Sequence, residues 1–310
     1  MSEALKKGNT ITIIHDIDRR YGDMQASLNV WMQLYMSGRI EAWYCPGIRD
    51  GIINTTRFIA PGLAAVISNN IHNSVEENLN IYLENKKAIA AIEAEYKSFL
   101  SLCEPLMKHY DIKKVHEFWD MHLNQLTSDS DIYFISDSLS LISFPIKILK
   151  EENSTIFEFA YNTVKELKLG LMDNLKNREF IEIIPYDLLD PESKKLPKFY
   201  KGSFLHLDNI EYTKKIFIKQ LENQLMLLNE VENYKLYITK HMDKRMHLQF
   251  AINHSAIFTT PNIEAKAISF TEKTMISSLD EFVQRFITSY CITDREKVKE
   301  LIKHKIESLI

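Results

Sequence analysis

The sequence predicts a helix-rich mixed α/β protein, built as two similar lobes joined by a helical middle segment. Three observations predict it. The chain of 310 residues holds only 8 glycines and 8 prolines, where average usage would give roughly 22 glycines. So few chain breakers favour long helices and count against an all-β sandwich full of tight turns. Short apolar runs alternate with longer stretches whose apolar residues recur at helical spacing. Finally, one order of strands and helices returns in the last third of the chain.

Ile11–Ile14 is a short apolar run bounded by polar residues and reads as a buried strand. A helix follows from about Asp23, with Met24, Leu28, Trp31 and Met32 on one face and Gly38 as its stop. Ile40–Cys45 reads as a second strand. Phe58–Ile67 carries two strand pieces split by Pro61-Gly62, and Leu79–Leu83 alternates as another. A long helix is expected over 86–109, with Ile89, Ile92, Tyr96, Phe99 and Cys103 in register. The middle reads as a helix over 111–126, a strand at 131–136, a helix over 156–177 and a strand at 180–184. Residues 185–197 hold three prolines and read as a loop or linker. Beyond it come a strand at 203–207, a helix over 211–228, strands at 234–238, 246–252, 256–260 and 265–270, and a helix over 272–290. The last helix opens on a capping box, Thr293-Asp294-Arg295-Glu296, and carries a stripe of Val298, Leu301, Ile302, Ile306 and Leu309. That stripe packs on its own domain or on a second copy of the chain.

The repeat pairs residues 83–99 with 270–286 without a gap: Lys86 meets Lys273, Ile89 meets Ile276, Ile92 meets Leu279 and Phe99 meets Phe286. Upstream, Ala65-Val66-Ile67-Ser68 meets Ala256-Ile257-Phe258-Thr259. The expected organisation is a first sheet-plus-helix lobe at 9–110, a helical connector at 111–200, a second lobe at 201–290 and a C-terminal amphipathic helix at 291–310.

Hydrophobic residues at 45% and charged residues at 26% match ordinary globular usage. The net charge of -4 gives no footprint for wholesale nucleic-acid binding. No run of 18 apolar residues calls for a membrane span, and the start MSEALKKGNT lacks a secretory stretch. Cys45, Cys103 and Cys291 read as reduced thiols of a cytoplasmic protein, with neither disulfide nor zinc spacing. Neither G-x-G-x-x-G nor G-x-x-x-x-G-K-[ST] occurs, so the phosphate-loop fingerprints are missing. No cofactor or metal is expected.

The segment FIAPGLAAVIS followed by LNIYLENKKAIAAIEAEYKSF resembles the back half of a phospholipase D-like unit. The stretch from NTITIIHDIDRRYGDM to EAWYC, with FISDSLSLISFP and EFIEIIPYDLL, resembles the C-terminal regulatory region of bacterial regulators. Those come from low-GC Gram-positive bacteria and carry an N-terminal Cro/lambda-repressor-type helix-turn-helix. The resemblance runs from about residue 9 and implies a sensing region, with DNA contacted only through a helix-turn-helix on another segment or chain. Phospholipase D chemistry needs H-x-K in each unit, with His as nucleophile and Lys on the phosphate. None of the ten histidines begins such a triplet, so the resemblance implies two lobes without catalytic residues.

Candidate ligand residues remain. His15-Asp16-x-Asp18-Arg19 follows a buried strand, and strand ends are where open α/β sheets bind ligands. The same residues also suit a turn or cap. His206 and Asp208 hold the corresponding place in the second lobe. Asn69 and His72 sit in an Asn-rich loop, and Arg49 in a turn with Asp50; each is a ligand contact or a solvated turn. The expected function is a non-enzymatic regulatory module that binds a small ligand or a protein partner. The alternatives are a divergent phosphodiesterase or nuclease using His15, Asp16 or His254, and a direct DNA binder.

Overall fold

The computed structural model describes residues 2–15, 34–46, 53–71, 79–150, 155–193, 196–197, 211–242, 247–252, 254–259 and 266–310. The chain divides into two compact units. The smaller is Thr10–Ile17 with Glu41–Leu106, and the larger takes Met1–Asn9, Asp18–Ile40 and Met107–Ile310.

In the smaller unit, β1 (Ile11–His15), β2 (Ile40–Tyr44) and β6 (Glu104–Pro105) form one sheet in that order. β3 (Ile53–Ala60), β4 (Ala64–Ile71) and β5 (Leu79–Leu83) form an antiparallel meander. The β3–β4 turn needs a left-handed residue, and Gly62 supplies it at φ 69°. The meander runs into α1 (Lys86–Leu100), which is capped by Asn85, its side chain accepting from Lys87 N and Ala88 N. Glu93 Oε1 accepts from Gly62 N at 2.7 Å and Glu95 pairs with Arg57 at 2.9 Å, so the helix is fastened to the hairpin. The helix expected to reach residue 109 ends at Leu100. Pro105 cannot donate to a helical carbonyl and crowds the turn before it, and Glu104–Pro105 pairs with β2 instead.

The larger unit is built on an eight-stranded sheet in the order β14-β10-β9-β8-β11-β12-β13-β7. In chain order these are β7 (Lys108–Tyr110), α2 (Val115–Leu126), β8 (Ile132–Ile135), α3 (Thr155–Asn174), β9 (Phe180–Pro185), α4 (Lys214–Glu230), β10 (Tyr234–Thr239), β11 (His247–Ala251), β12 (Ser255–Thr259), β13 (Ala267–Phe270), α5 (Lys273–Tyr290), β14 (Cys291–Ile292) and α6 (Arg295–Leu309). β8, β9 and β10 are mutually parallel, joined by helical crossovers, and the other pairings are antiparallel. The class is therefore helix-rich mixed α/β.

Segment 111–200, expected as a connector, supplies β8 and β9 to the middle of this sheet. Its runs Ile132–Ile135 and Phe180–Pro185 are apolar on both faces except for Glu182, and such runs belong inside a sheet covered on both sides. Described residues of the expected linker at 185–197 are packed as well. Leu188 and Leu189 join the core, because β9 delivers them straight under α4 and α6. Gly170 of α3 lies against α2, where a Cβ would stand 3.2 Å from Thr127 Cγ2.

The apolar stripe of α6 is covered by its own chain. Val298, Ile302 and Leu309 pack with Phe217, Leu221, Leu228, Tyr234 and Ile238. Asp294, rather than Thr293, caps the helix, accepting from Lys297 N at 2.9 Å. Arg295 donates to the carbonyls of Leu228, Val231, Glu232 and Tyr234, tying α6 to the end of α4 and the turn into β10. Lys305, fully buried, donates to the carbonyls of Asp190 and Ser193.

Candidate functional site

Of the residues singled out from sequence, His15 and Asn69 are described. His15 closes β1, half-buried. Asn69 lies in β4 rather than in a loop, between Thr55 of β3 and Leu79 of β5, because the β3–β4 ladder continues to Ile71. Its Oδ1 is buried without a hydrogen-bond partner among the described residues. Asp16, Asp18, Arg19, Arg49, His72, His206 and Asp208 lie outside the described residues. His254, named for the enzyme alternative, has its Nδ1 2.7 Å from Ser255 Oγ. Among the described residues, no group of three or more His, Cys, Asp and Glu side chains is placed to hold a metal ion.

The best-formed polar site lies elsewhere, at the carboxyl end of the parallel strands. β11 runs antiparallel to β8 with Leu248 opposite Ile135. The start of β11 therefore meets the segment leaving β8. There His247 Nε2 stands 2.7 Å from Asp137 Oδ1, with side chains 11% and 17% exposed. A carboxylate on one ring nitrogen fixes the imidazole's orientation. Carboxyl ends of parallel strands are the usual place for ligands in open α/β sheets. Ser136 Oγ and Ser138 Oγ, on either side of Asp137 in the chain, lie 2.9 Å apart, and Lys240, just past β10, sits 4.9 Å above the Tyr186 ring.

The segment carrying Asp137 is anchored from beneath. Glu182, fully buried in β9, accepts from Ser140 N at 2.6 Å, Ser140 Oγ at 2.8 Å and Tyr234 Oη at 2.7 Å. Burial pushes its carboxyl above the usual range, and those donors oppose the shift. Gln220 of α4 donates to Ser140 O and Ser143 Oγ, and Asn223 to Ser143 O. Lys168 of α3 donates to Phe144 O at 2.5 Å, and burial lowers its pKa to about 8.

A second polar chain runs between α2 and the sheet. His122 Nδ1 donates to Gln249 Oε1 at 2.9 Å, Gln249 Nε2 to Gln125 Oε1 at 2.8 Å, and Gln125 Nε2 to Ser255 Oγ at 2.8 Å. Each amide is thereby used on both its ends. His122 is packed against Phe118 and Trp119, and burial lowers its pKa to about 4.

Asp137 and His247 were not among the residues chosen from sequence. Each stands where a predicted strand begins or ends, which is a usable local signal. Their pairing joins positions 110 apart and has no local trace.

No family model matches the sequence, and no curated protein matches it. A phosphatidylserine synthase of Haemophilus influenzae Rd KW20 is similar at a TM-score of 0.36 and 8% identity, over 97% of this chain and 82% of its own. An archaeal chromatin protein, TrmBL2, described as showing a novel mode of DNA binding, is similar at 0.33 and 8% identity. That match covers 66% of this chain, which spans 64% of the archaeal protein's length. Similarity at this level assigns no activity. No helix among the described residues is long and apolar enough to cross a membrane.

Proposed function

We propose that this chain is a non-enzymatic regulatory or sensing module that binds a small polar ligand beside Asp137 and His247. The observation that carries the reading is the side chain two residues after His247. Phospholipase D chemistry needs a lysine two residues after its histidine to hold the phosphate, and after His247 that position holds Gln249. Its amide is spent on His122 and Gln125. The imidazole is thus oriented while the phosphate-holding cation is missing from that position. The deeply set lysines of this unit serve the fold: Lys168 and Lys305 donate to backbone carbonyls. In keeping with the resemblance to helix-turn-helix regulators, the module works in the cytoplasm, with DNA contacted only through a separate helix-turn-helix.

A thermal-shift screen of the full chain against nucleotides, metabolites and peptides tests this, with hits confirmed by calorimetry. A ligand is expected whose affinity falls about tenfold or more in His247→Gln and Asp137→Asn. Hydrolysis of a generic phosphodiester that disappears in His247→Ala would make the chain an enzyme instead. Sequence-specific retardation of duplex DNA by the chain alone, at physiological salt, would make it a direct DNA binder.

A further inference from the structure

Two meanders of this chain share one register. In the smaller unit Ala65 of β4 pairs with Ile59 and Leu83. In the larger unit Ala256 of β12 pairs with Phe250 and Phe270. Each third strand then leads into a helix at the same offset, α1 after Leu83 and α5 after Phe270. The caps match too: Asn85 accepts from Lys87 N and Ala88 N, and Glu272 from Thr274 N and Met275 N. Ile89 and Ile276 then fall at the same place in the two helices, both buried. The gapless correspondence seen in sequence is therefore a correspondence of hydrogen-bonded ladders.

It makes the opposite faces comparable. The cross-strand row Phe58–Val66–Tyr82 in the smaller unit corresponds to Gln249–Ile257–Ser269 in the larger. The second row is covered. Gln249 is bonded by His122 and Gln125 of α2, Ile257 packs with Phe118 of α2, and Ser269 Oγ meets Tyr110 Oη at 3.1 Å. In the first row Phe58 is 60% exposed and Tyr82 63% exposed, and Leu63 at the hairpin tip is 76% exposed. Thr56, Ala60, Ala64, Ser68 and Asn80 share that face by strand alternation, so it carries no charge. Phe58 and Tyr82 stand two strand spacings apart, about 10 Å, which is the width of a helix.

Charge narrows the occupant. The segments Thr10–Ile17 and Glu41–Leu106 hold 9 Asp or Glu and 5 Lys or Arg, a difference of -4. Glu84 lies at the rim, accepting from Tyr82 Oη at 3.0 Å. We propose that the face bearing Phe58, Val66 and Tyr82 docks an amphipathic helix of a partner protein, apolar on its inner side and basic along its flanks. The partner helix would lie on this meander as α2 lies on its counterpart. This surface is in the other unit from Asp137 and His247 and stands independently of the ligand reading.

The test is fluorescence anisotropy with a labelled Leu/Lys amphipathic helix of about 18 residues, titrated with the full chain. Saturable binding is expected. It should weaken about tenfold or more in the double variant Phe58→Ser, Tyr82→Ser. It should weaken also in Asn80→Arg, which places a like charge on the same face without removing a packed group. A Leu/Glu helix of the same pattern should bind about tenfold more weakly, and His247→Gln should bind like wild type. Absence of binding, or binding equal in wild type and both face variants, overturns the proposal. So does a wild-type dimer in sedimentation that the double variant dissolves, since a second copy would then be the occupant.

Discussion

Acid should loosen the packing of α2 on the sheet through His122. The ring is enclosed by Phe118 and Trp119, donates to Gln249, and has its pKa lowered to about 4 by burial. In the unfolded chain the same ring titrates near 6.5. Between those values the unfolded chain binds a proton that the folded chain refuses. The associated stability is therefore present above pH 6.5 and lost as pH falls towards 4. Each tenfold difference in proton affinity is worth about 1.4 kcal/mol, so the loss is about 2 kcal/mol by pH 5 and about 3 kcal/mol by pH 4. His122→Gln removes the titration while keeping an amide donor for Gln249. Urea unfolding of both proteins at pH 7 and pH 5, followed by circular dichroism, separates this group from the other histidines. The wild type should lose about 2 kcal/mol more than the variant between the two pH values. Equal losses would mean that His122 is protonated in the fold, and the argument from burial would fail.

Arg295→Met should cost about 3 kcal/mol in chemical denaturation, because four backbone carbonyls lose their charged donor while the stem's packing is kept. Cys291, whose thiol burial pushes up to about 12, should react with a disulfide reagent at pH 8 on the order of a thousandfold more slowly in the native chain than in denaturant; timed labelling with mass spectrometry reads this, and fast native labelling would contradict it. Gly62→Ala should destabilise the chain by about 1 kcal/mol in thermal unfolding, since it holds φ at 69° with open space around it, so strain is the whole effect. Glu182→Ala should lower stability by about 3 kcal/mol and weaken any ligand held at His247, by freeing Ser140 and with it the Asp137 segment.

By itself the sequence determined the local elements and their class. Helical spacing located α1 through α6, and apolar runs located β1 to β5 and β8 to β13, because side-chain periodicity is set within a few residues of chain; the two- and three-residue strands β6, β7 and β14 are too short to show it. The boundary failure at α1 had a local cause as well, in Pro105. The matched rows of residues 83–99 and 270–286 were legible because equal offsets and equal periods leave matching apolar positions. Only the tertiary structure decided that β8 and β9 of segment 111–200 fill the centre of a sheet, since Ile132–Ile135 looks the same as a strand in any neighbourhood. It alone brought Asp137 to His247 and His122 to Gln249, pairs 110 and 127 residues apart. Strand order and such pairings depend on which surfaces bury each other once loop closure has been met, and neighbouring residues carry no record of that choice.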